Sequence, residues 1–324
     1  MRLISFLFLA VAAPQVLFAE TPSASSAPIP VTIDNFVRAA SDFEFEKYVS
    51  LAGGVNTFFN FGVALELDNQ PTVRMNRDSL DSSAIVAISE GATLALPDVG
   101  ARYMTTMVVN QAYYLNETFY GGGSFELDIE TFDTPYVMLF VRTLVDAEDP
   151  EDVAAVNAIQ DQFVLEANAA TPFDRPPYDE ESLAGLIEAI LGLNPYVPDS
   201  ASMFGSQAEV IGIRHFIGTA SGFGGLPEKD AFYVNVDPRL PVGGYRIDVP
   251  ADVPVGAFWS LSLYNEDGFF QENDLGAYNI NSVTGLRNED GSMTVQLGDC
   301  DDGRINCLPI MEGWNYTVRL YTPG

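Results

Sequence analysis

The sequence predicts a mainly β fold with some α, built as two antiparallel β-sandwich or jelly-roll-like domains joined by connecting helices. Three observations carry this. Short runs rich in β-branched and aromatic residues, separated by Gly/Pro/Asn/Asp clusters, fill residues 63–145 and again 231–322. Between them lie segments with three-and-four apolar spacing and strong capping residues. The chain has 324 residues, of which 47% are hydrophobic and 12% aromatic, enough for more than one core.

Element by element, residues 32–53 read as a helix, with Phe36, Ala39, Ala40, Phe43 and Lys47 at helical spacing and Gly53-Gly54 as its stop. The period then changes. SSAIVAIS, ATLAL, RYMTTMVVNQAYYL, SFELDIE and YVMLFVRTLV read as strands, broken at Gly121–Gly123 and at FDTP (132–135). Asp149-Pro150-Glu151-Asp152 opens a helix, because an N-cap carboxylate, proline at the first helical position and first-turn acids all favour a start there. Val153, Val156, Ile159, Phe163 and Val164 form its apolar stripe. A second helix begins at Asp179, turns Leu183, Leu186, Ile187, Ile190 and Leu191 inward and stops at Gly192; the Pro-rich 169–180 segment before it is the expected hinge. Past Gly205 the strands resume as AFYVNV, GYRIDV, AFWSLSLYN, SMTVQL and NYTVRLYT. NEDG occurs at 265–268 and at 288–291, each read as a hairpin turn in which Asp and Gly accept positive φ.

Residues 1–19 fit a secretory signal peptide: an early Arg2, an apolar run from Leu3 to Ala13 and a small residue at the Ala19 cleavage point. Residues 20–30 read as a flexible leader, 31–170 as the N-terminal β domain with flanking helices, 171–205 as linker and helix, and 206–324 as the C-terminal β domain. No later segment is long and apolar enough to span a bilayer, so the expected address is periplasmic or secreted. A formal charge of −30 makes phosphate backbones and anionic lipid poor partners. In an exported chain Cys300 and Cys307 are expected to pair as a disulfide rather than bind a metal. Neither a cofactor nor a metal is expected.

The chain resembles a bacterial family of exported proteins with consecutive DUF1254 and DUF1214 domains. The resemblance rests on DNFVRA (34–39), DNQPTVRMNRDSL (68–80), LPDVGARYMTTMVVNQ (96–111), residues 136–161, residues 214–236, VGAFWSLSLYNEDGFF (255–270) and CLPIMEGWNYTVRLY (307–321). It implies two β-sandwich or jelly-roll-like domains with helices packed between or beside them, and no established reaction. Ser79 and Phe223 stand where members of the family carry Thr and Trp, and FFNF (58–61) lacks the histidine some members have before the DNQ motif.

Candidate chemistry centres on few residues. Arg74 and Arg77 use two of the chain's 15 basic residues in one short segment, read as a strand in which they face opposite ways and Arg77 shares a side with Met75 and Ser79. Arg77 either clamps an anion at a pocket floor or pairs with Asp78 or another acid to fix the fold. His215, the sole histidine, reads as a hydrogen-bonded core residue or as a catalytic base. No GxSxG elbow accompanies it. Alternation in AFWSLSLYN places Trp259, Leu261 and Leu263 on one face and Phe258, Ser260, Ser262 and Tyr264 on the other, leaving Trp259 as core or as an aromatic platform. Lys229 sits in a Gly-rich turn.

The expected function is binding of a small or carbohydrate-like ligand in a cleft near the domain junction, lined by Arg77, Asp78, Tyr103, Lys229 and Trp259. The alternatives are a hydrolase or lyase using His215 and Arg77, with Asp78 as a further catalytic candidate, and a structural or assembly module of the cell envelope. A homo-oligomer is compatible with any of them.

Overall fold

The computed structural model describes residues 27–68, 70, 73–300 and 303–324. The expected signal peptide and most of the leader lie outside the described residues. Helix α1 (Phe36–Ala52) precedes strands β1 (Phe59–Asn60), β2 (Ser79–Ala87), β3 (Ala92–Leu96), β4 (Met104–Asn110), β5 (Leu115–Tyr120) and β6 (Gly123–Leu127). Then follow α2 (Ile129–Phe132), β7 (Tyr136–Leu144), α3 (Pro150–Gln160), β8 (Val164–Ala167), α4 (Glu180–Leu191) and α5 (Gly212–Ser221). The C-terminal part contributes β9 (Ala231–Val236), β10 (Tyr245–Val249), β11 (Trp259–Tyr264), β12 (Asn279–Asn281), β13 (Met293–Leu297), β14 (Cys307–Leu308) and β15 (Asn315–Tyr321). The molecule is mainly β with some α.

Four sheets make two sandwiches. In the first, the five-stranded sheet β1-β2-β7-β4-β5 faces the three-stranded sheet β6-β3-β8; in the second, β12-β11-β15-β9 faces β10-β13-β14. All neighbours pair antiparallel except β13 with β14. Ala84, Val86, Val137, Leu139 and Val108 meet Leu94, Leu96 and Leu127 in the first core. Trp259, Leu261 and Leu263 meet Met293, Val295 and Leu297 in the second, as the alternation in β11 predicts.

A third core joins the two. Ile85, Met107, Val109 and Met138 on the outer face of the five-stranded sheet bury against Phe45 of α1, Leu226, Ala231, Phe258 and Tyr321. Strands β2, β4 and β7 are therefore covered on both faces, which is why they are buried at nearly every position instead of alternately. α4, α5 and the start of α1 close a helical layer around Phe36, Leu183, Ile190 and Ile217.

Local chemistry explains the boundaries. Asp149 Oδ1 accepts the Glu151 N–H at the start of α3, and Asp179 Oδ2 accepts the Ser182 N–H at the start of α4. α1 ends at Gly53, whose φ of 77° is left-handed and whose N–H returns to Val49 O. Cys300 and Cys307 form the expected disulfide.

α5 occupies a stretch for which no element was expected: it has two glycines and no side-chain cap, and it exists because His215 and Ile217 are buried among neighbouring elements. Three expectations are corrected. SFELDIE splits after Leu127, because Asp128 accepts the Thr131 N–H and starts α2. Val164 leaves the α3 stripe and begins β8. Both NEDG segments are tight turns with Gly268 and Gly291 at φ 85° and 84°, yet neither closes a short hairpin: β12 lies many residues beyond the first, and the second links strands of different sheets.

Candidate functional site: the layer between the two sandwiches

The NRDS segment is not a strand. β2 starts at Ser79, and Arg74 has a left-handed φ of 54°. Residues 65–68, 70 and 73–78 instead lie outside any strand and reach from the first sandwich to the second. Arg74 N–H donates to Gly268 O, its guanidinium donates to Thr317 Oγ1 (3.2 Å), and it lies 5.8 Å above the Tyr264 ring. Arg77 donates to Leu65 O, reaches Glu148 Oε1 at 3.4 Å and sits 4.8 Å from the Tyr278 ring centre. At 9% exposure Arg77 is walled in by these partners. Asp78 is fully buried, and its Oδ1 accepts from Asn279 (2.7 Å) and Asn281 (3.0 Å) on β12. Two scarce cations are placed in this segment because the loop must be stapled to a sheet some 200 residues later in the chain.

Arg319, which the sequence reading did not single out, completes the staple from β15. Its Nη1 donates to Ser262 Oγ (2.8 Å), and its Nη2 donates to Arg74 O (2.7 Å), Met75 O (3.1 Å) and Tyr264 Oη (2.8 Å). Burial acts to lower its pKa, but the Tyr264 and Tyr321 phenols, the Tyr264 hydrogen bond and Asp78 outweigh it and hold it fully charged.

The remaining candidates are dispersed. Trp259 is in the core of the second sandwich at 5% exposure. Lys229 projects to solvent and pairs with Glu209 at 2.7 Å. His215 lies on α5, with Nδ1 3.2 Å from Met203 O, Nε2 3.2 Å from Ala112 O, and its ring stacked on Tyr114 at 4.9 Å. Both nitrogens are thus engaged by backbone carbonyls, and His215 and Arg77 share no partner. Burial is the main cause that sets the His215 pKa below its usual 6.5, against the two carbonyls that favour the charged ring.

With the folded-state value depressed, the native protein binds fewer protons than the unfolded chain just below neutrality. The contribution of the neutral ring is therefore present above pH 6.5 and is lost as pH falls through the folded-state value. His215→Gln is expected to lower Tm at pH 8 and to lower it by less at pH 5, measured by paired thermal melts. A gap that is constant or widens in acid would contradict this placement.

Tyr103 is the one predicted site residue found in an open concavity. A cleft of about 740 Å³ lies at the junction of the two sandwiches. Ala101, Arg102, Tyr103, Leu144, Asp146, Asp149 and Asp152 line it from the first, and Gly256, Ala257, Phe258, Val283 and Thr284 from the second. Arg102 is held at its wall by Asp152, in a forked pair at 2.5 and 3.0 Å that lowers the Asp152 pKa. Tyr103 packs edge-on against Phe258 with centroids 5.3 Å apart. Its hydroxyl is buried and makes no hydrogen bond among the described residues.

Behind Tyr103 runs a polar row. The register places Asp81 opposite Arg142, Arg142 opposite Thr105, and Thr105 opposite Tyr120, so all four share the outer face of the five-stranded sheet. Tyr120 Oη donates to Asp230 Oδ1 at 2.7 Å. Across from the row, Tyr233 and Tyr321 project from the second sandwich. Arg142 was not singled out from sequence. It reads there as one polar residue in YVMLFVRTLV, and only the pairing of strands 61 residues apart gives it these neighbours.

Among the described residues there is no group of three His, Cys, Asp or Glu side chains that could hold a metal ion, and no helix long and apolar enough to cross a membrane.

Comparison with known proteins places the C-terminal part in a family. Residues 239–324 match DUF1214, described as "Protein of unknown function (DUF1214)". No curated protein matches. Two solved structures share the fold. The VPA0106 protein from Vibrio parahaemolyticus is similar with a TM-score of 0.66 and 18% identity over 90% of this chain and 96% of that one. An uncharacterized protein from Burkholderia cenocepacia is similar with a TM-score of 0.53 and 16% identity over 90% and 84%. At these identities the likeness is one of fold.

Proposed function

We propose that this is an exported β protein of two units, DUF1254-like followed by DUF1214-like, that binds a small carbohydrate-like ligand in the cleft between its sandwiches. The observation that carries the reading is the cleft itself: about 740 Å³, with walls from both units and Tyr103 and Phe258 among its lining. That volume lies within the range of small-molecule sites. The aromatic pair offers apolar ring surface, while Asp146, Asp149 and Thr284 offer oxygens to ligand hydroxyls. A neutral polyol suits this lining better than an anion, because three aspartates face the space and the single cation there is already paired. Export rests on residues 1–19 and is supported by the Cys300–Cys307 bond, which persists in oxidising compartments.

The test is a thermal-shift series with neutral mono- and oligosaccharides on wild type and on Val283→Trp. Val283 lines the cleft and is 58% exposed, so tryptophan there fills the space without entering a core. A binding sugar is expected to raise the wild-type Tm with concentration, by about 2.7 kcal/mol of stabilisation at a hundredfold excess over Kd, and to leave the variant unmoved. Equal shifts in both proteins, or none with any sugar, would remove the cleft from consideration.

A further inference from the structure

Two half-buried arginines among the described residues, Arg74 and Arg142, have no carboxylate within ion-pair distance; Arg74 spends its head group on Thr317 Oγ1 and the Tyr264 ring. Arg38, Arg77, Arg102, Arg175 and Arg214 each have a carboxylate within ion-pair distance. Arg319 has none, but four acceptors satisfy it. The Arg142 guanidinium touches only Gly224 O, Met107 Sδ at 3.7 Å and the Phe140 ring at 5.2 Å. Among the described residues no carboxylate oxygen lies within 4 Å of it. A guanidinium has five N–H donors, and a carbonyl and a thioether leave most of them unused. Withdrawing such a cation from bulk water without a paired anion is costly, so an empty partner position there calls for an explanation.

The position is reachable. Arg142 lies near the end of β7, a strand paired on both sides, between Val141 and Thr143, which are both fully buried, yet it keeps partial exposure. Asp81, Tyr48, Phe140, Tyr103 and Tyr233 are likewise partly exposed on faces that are otherwise sealed. These side chains surround the Arg142 head group where the first sandwich, α1 and the second sandwich meet. The Tyr103 hydroxyl, buried and without a partner, is an independent unused donor. The backbone is shaped to the same point: Gly224 has φ +108°, and a Cβ there would stand 3.3 Å from Arg142 Nη2.

We propose that these side chains bound a hollow that is a second binding site, for a small monocarboxylate with a flat apolar body. The guanidinium takes the carboxylate in a fork, and the Tyr103 hydroxyl donates to one of its oxygens. The rings of Phe140, Tyr48 and Tyr233 bound the space for the body. Asp81, directly across the strand pair from Arg142, disfavours a second negative charge, so a monoanion fits and a dianion does not. Burial is the largest cause acting on both groups, raising the Asp81 carboxyl pKa and acting to lower that of Arg142, while Tyr233, Asp81, Tyr321 and Tyr103 outweigh it and hold Arg142 charged.

The site shares Tyr103 with the outer cleft, by its hydroxyl rather than its ring face, but does not rest on sugar binding there, and the two are scored separately. The probes are benzoate, its neutral isostere benzamide and the dianion phthalate, compared by thermal shift and by titration of wild type. Benzoate is expected to raise Tm, while benzamide and phthalate leave it unchanged. Arg142→Gln is expected to weaken benzoate about tenfold or more, the loss of one charge-assisted pair, and Tyr103→Phe by a smaller factor. The comparison of benzoate with benzamide needs no variant, so it decides the matter even if Arg142→Gln does not fold. Equal shifts for benzoate and benzamide, no shift with benzoate, or unchanged benzoate affinity in a folded Arg142→Gln protein would each overturn the assignment.

Discussion

Arg319→Met is expected to cost about 3–5 kcal/mol of stability, the range found when one member of a buried charged network is removed. The side chain is 4% exposed and satisfies Ser262 Oγ, Tyr264 Oη and the carbonyls of Arg74 and Met75. Methionine fills much of the volume but donates nothing. Two backbone carbonyls are then left buried without a donor, and Asp78, a fully buried carboxylate, loses a nearby positive charge. The expected drop in Tm is on the order of 10 °C, at roughly 2–4 °C per kcal/mol for a chain of this size. Arg319→Lys should fall between the two, because an ammonium retains the charge but cannot reach four acceptors in a fork. Urea titration of the three proteins measures this. A methionine variant within about 1 kcal/mol of wild type would mean that water replaces the guanidinium and that the 73–78 loop is not held by it.

The same staple shows where sequence reading succeeds and where it stops. Whatever depends on nearest neighbours was legible. The caps at Asp149 and Asp179, the stop at Gly53 and the two-sided alternation of β11 all follow from residues a few positions apart. The NRDS segment was noticed for the right reason, the concentration of scarce cations, and was given the wrong geometry. A strand was expected because β-formers follow it, whereas its conformation is set by Gly268, Thr317 and Asn279, each about 200 or more residues away. Arg142 failed to stand out for the same reason. A polar residue in an apolar strand acquires meaning only when register sets Asp81, Thr105 and Tyr120 in one row with it.

A consequence follows for how the two sandwiches are held together. An interface made only of Ile85, Met138, Phe258 and their neighbours would tolerate sliding, since apolar contacts carry little directional information. The buried polar groups on its flank do not. The bonds of Asp78 Oδ1 with Asn279 and Asn281, and of Arg319 with the Arg74 and Met75 carbonyls, form in one relative placement of the two sheets. That fixed placement also sets the shape of the cleft, whose walls are drawn from both units.

Trp259→Ala is expected to produce the second large loss, about 3–5 kcal/mol, as for other deletions of a buried aromatic side chain. The side chain lies in the core between β11 and β13, with Leu261, Leu263, Met293, Val295 and Trp314 in the same cluster. Its face of β11 is opposite to that of Phe258, which meets the junction. Stability and ligand binding should therefore separate: the variant unfolds at lower urea, yet below its transition it keeps whatever ligand-induced shift the wild type shows. Trp259→Phe retains most of the ring volume and should cost clearly less. The chain has two tryptophans, Trp259 and Trp314, and both belong to this cluster, so in Trp259→Ala the emission of Trp314 alone reports the unfolding of the second sandwich. If Trp259→Ala kept full stability but lost ligand response, the ring would be a binding platform and its assignment to the core would fail.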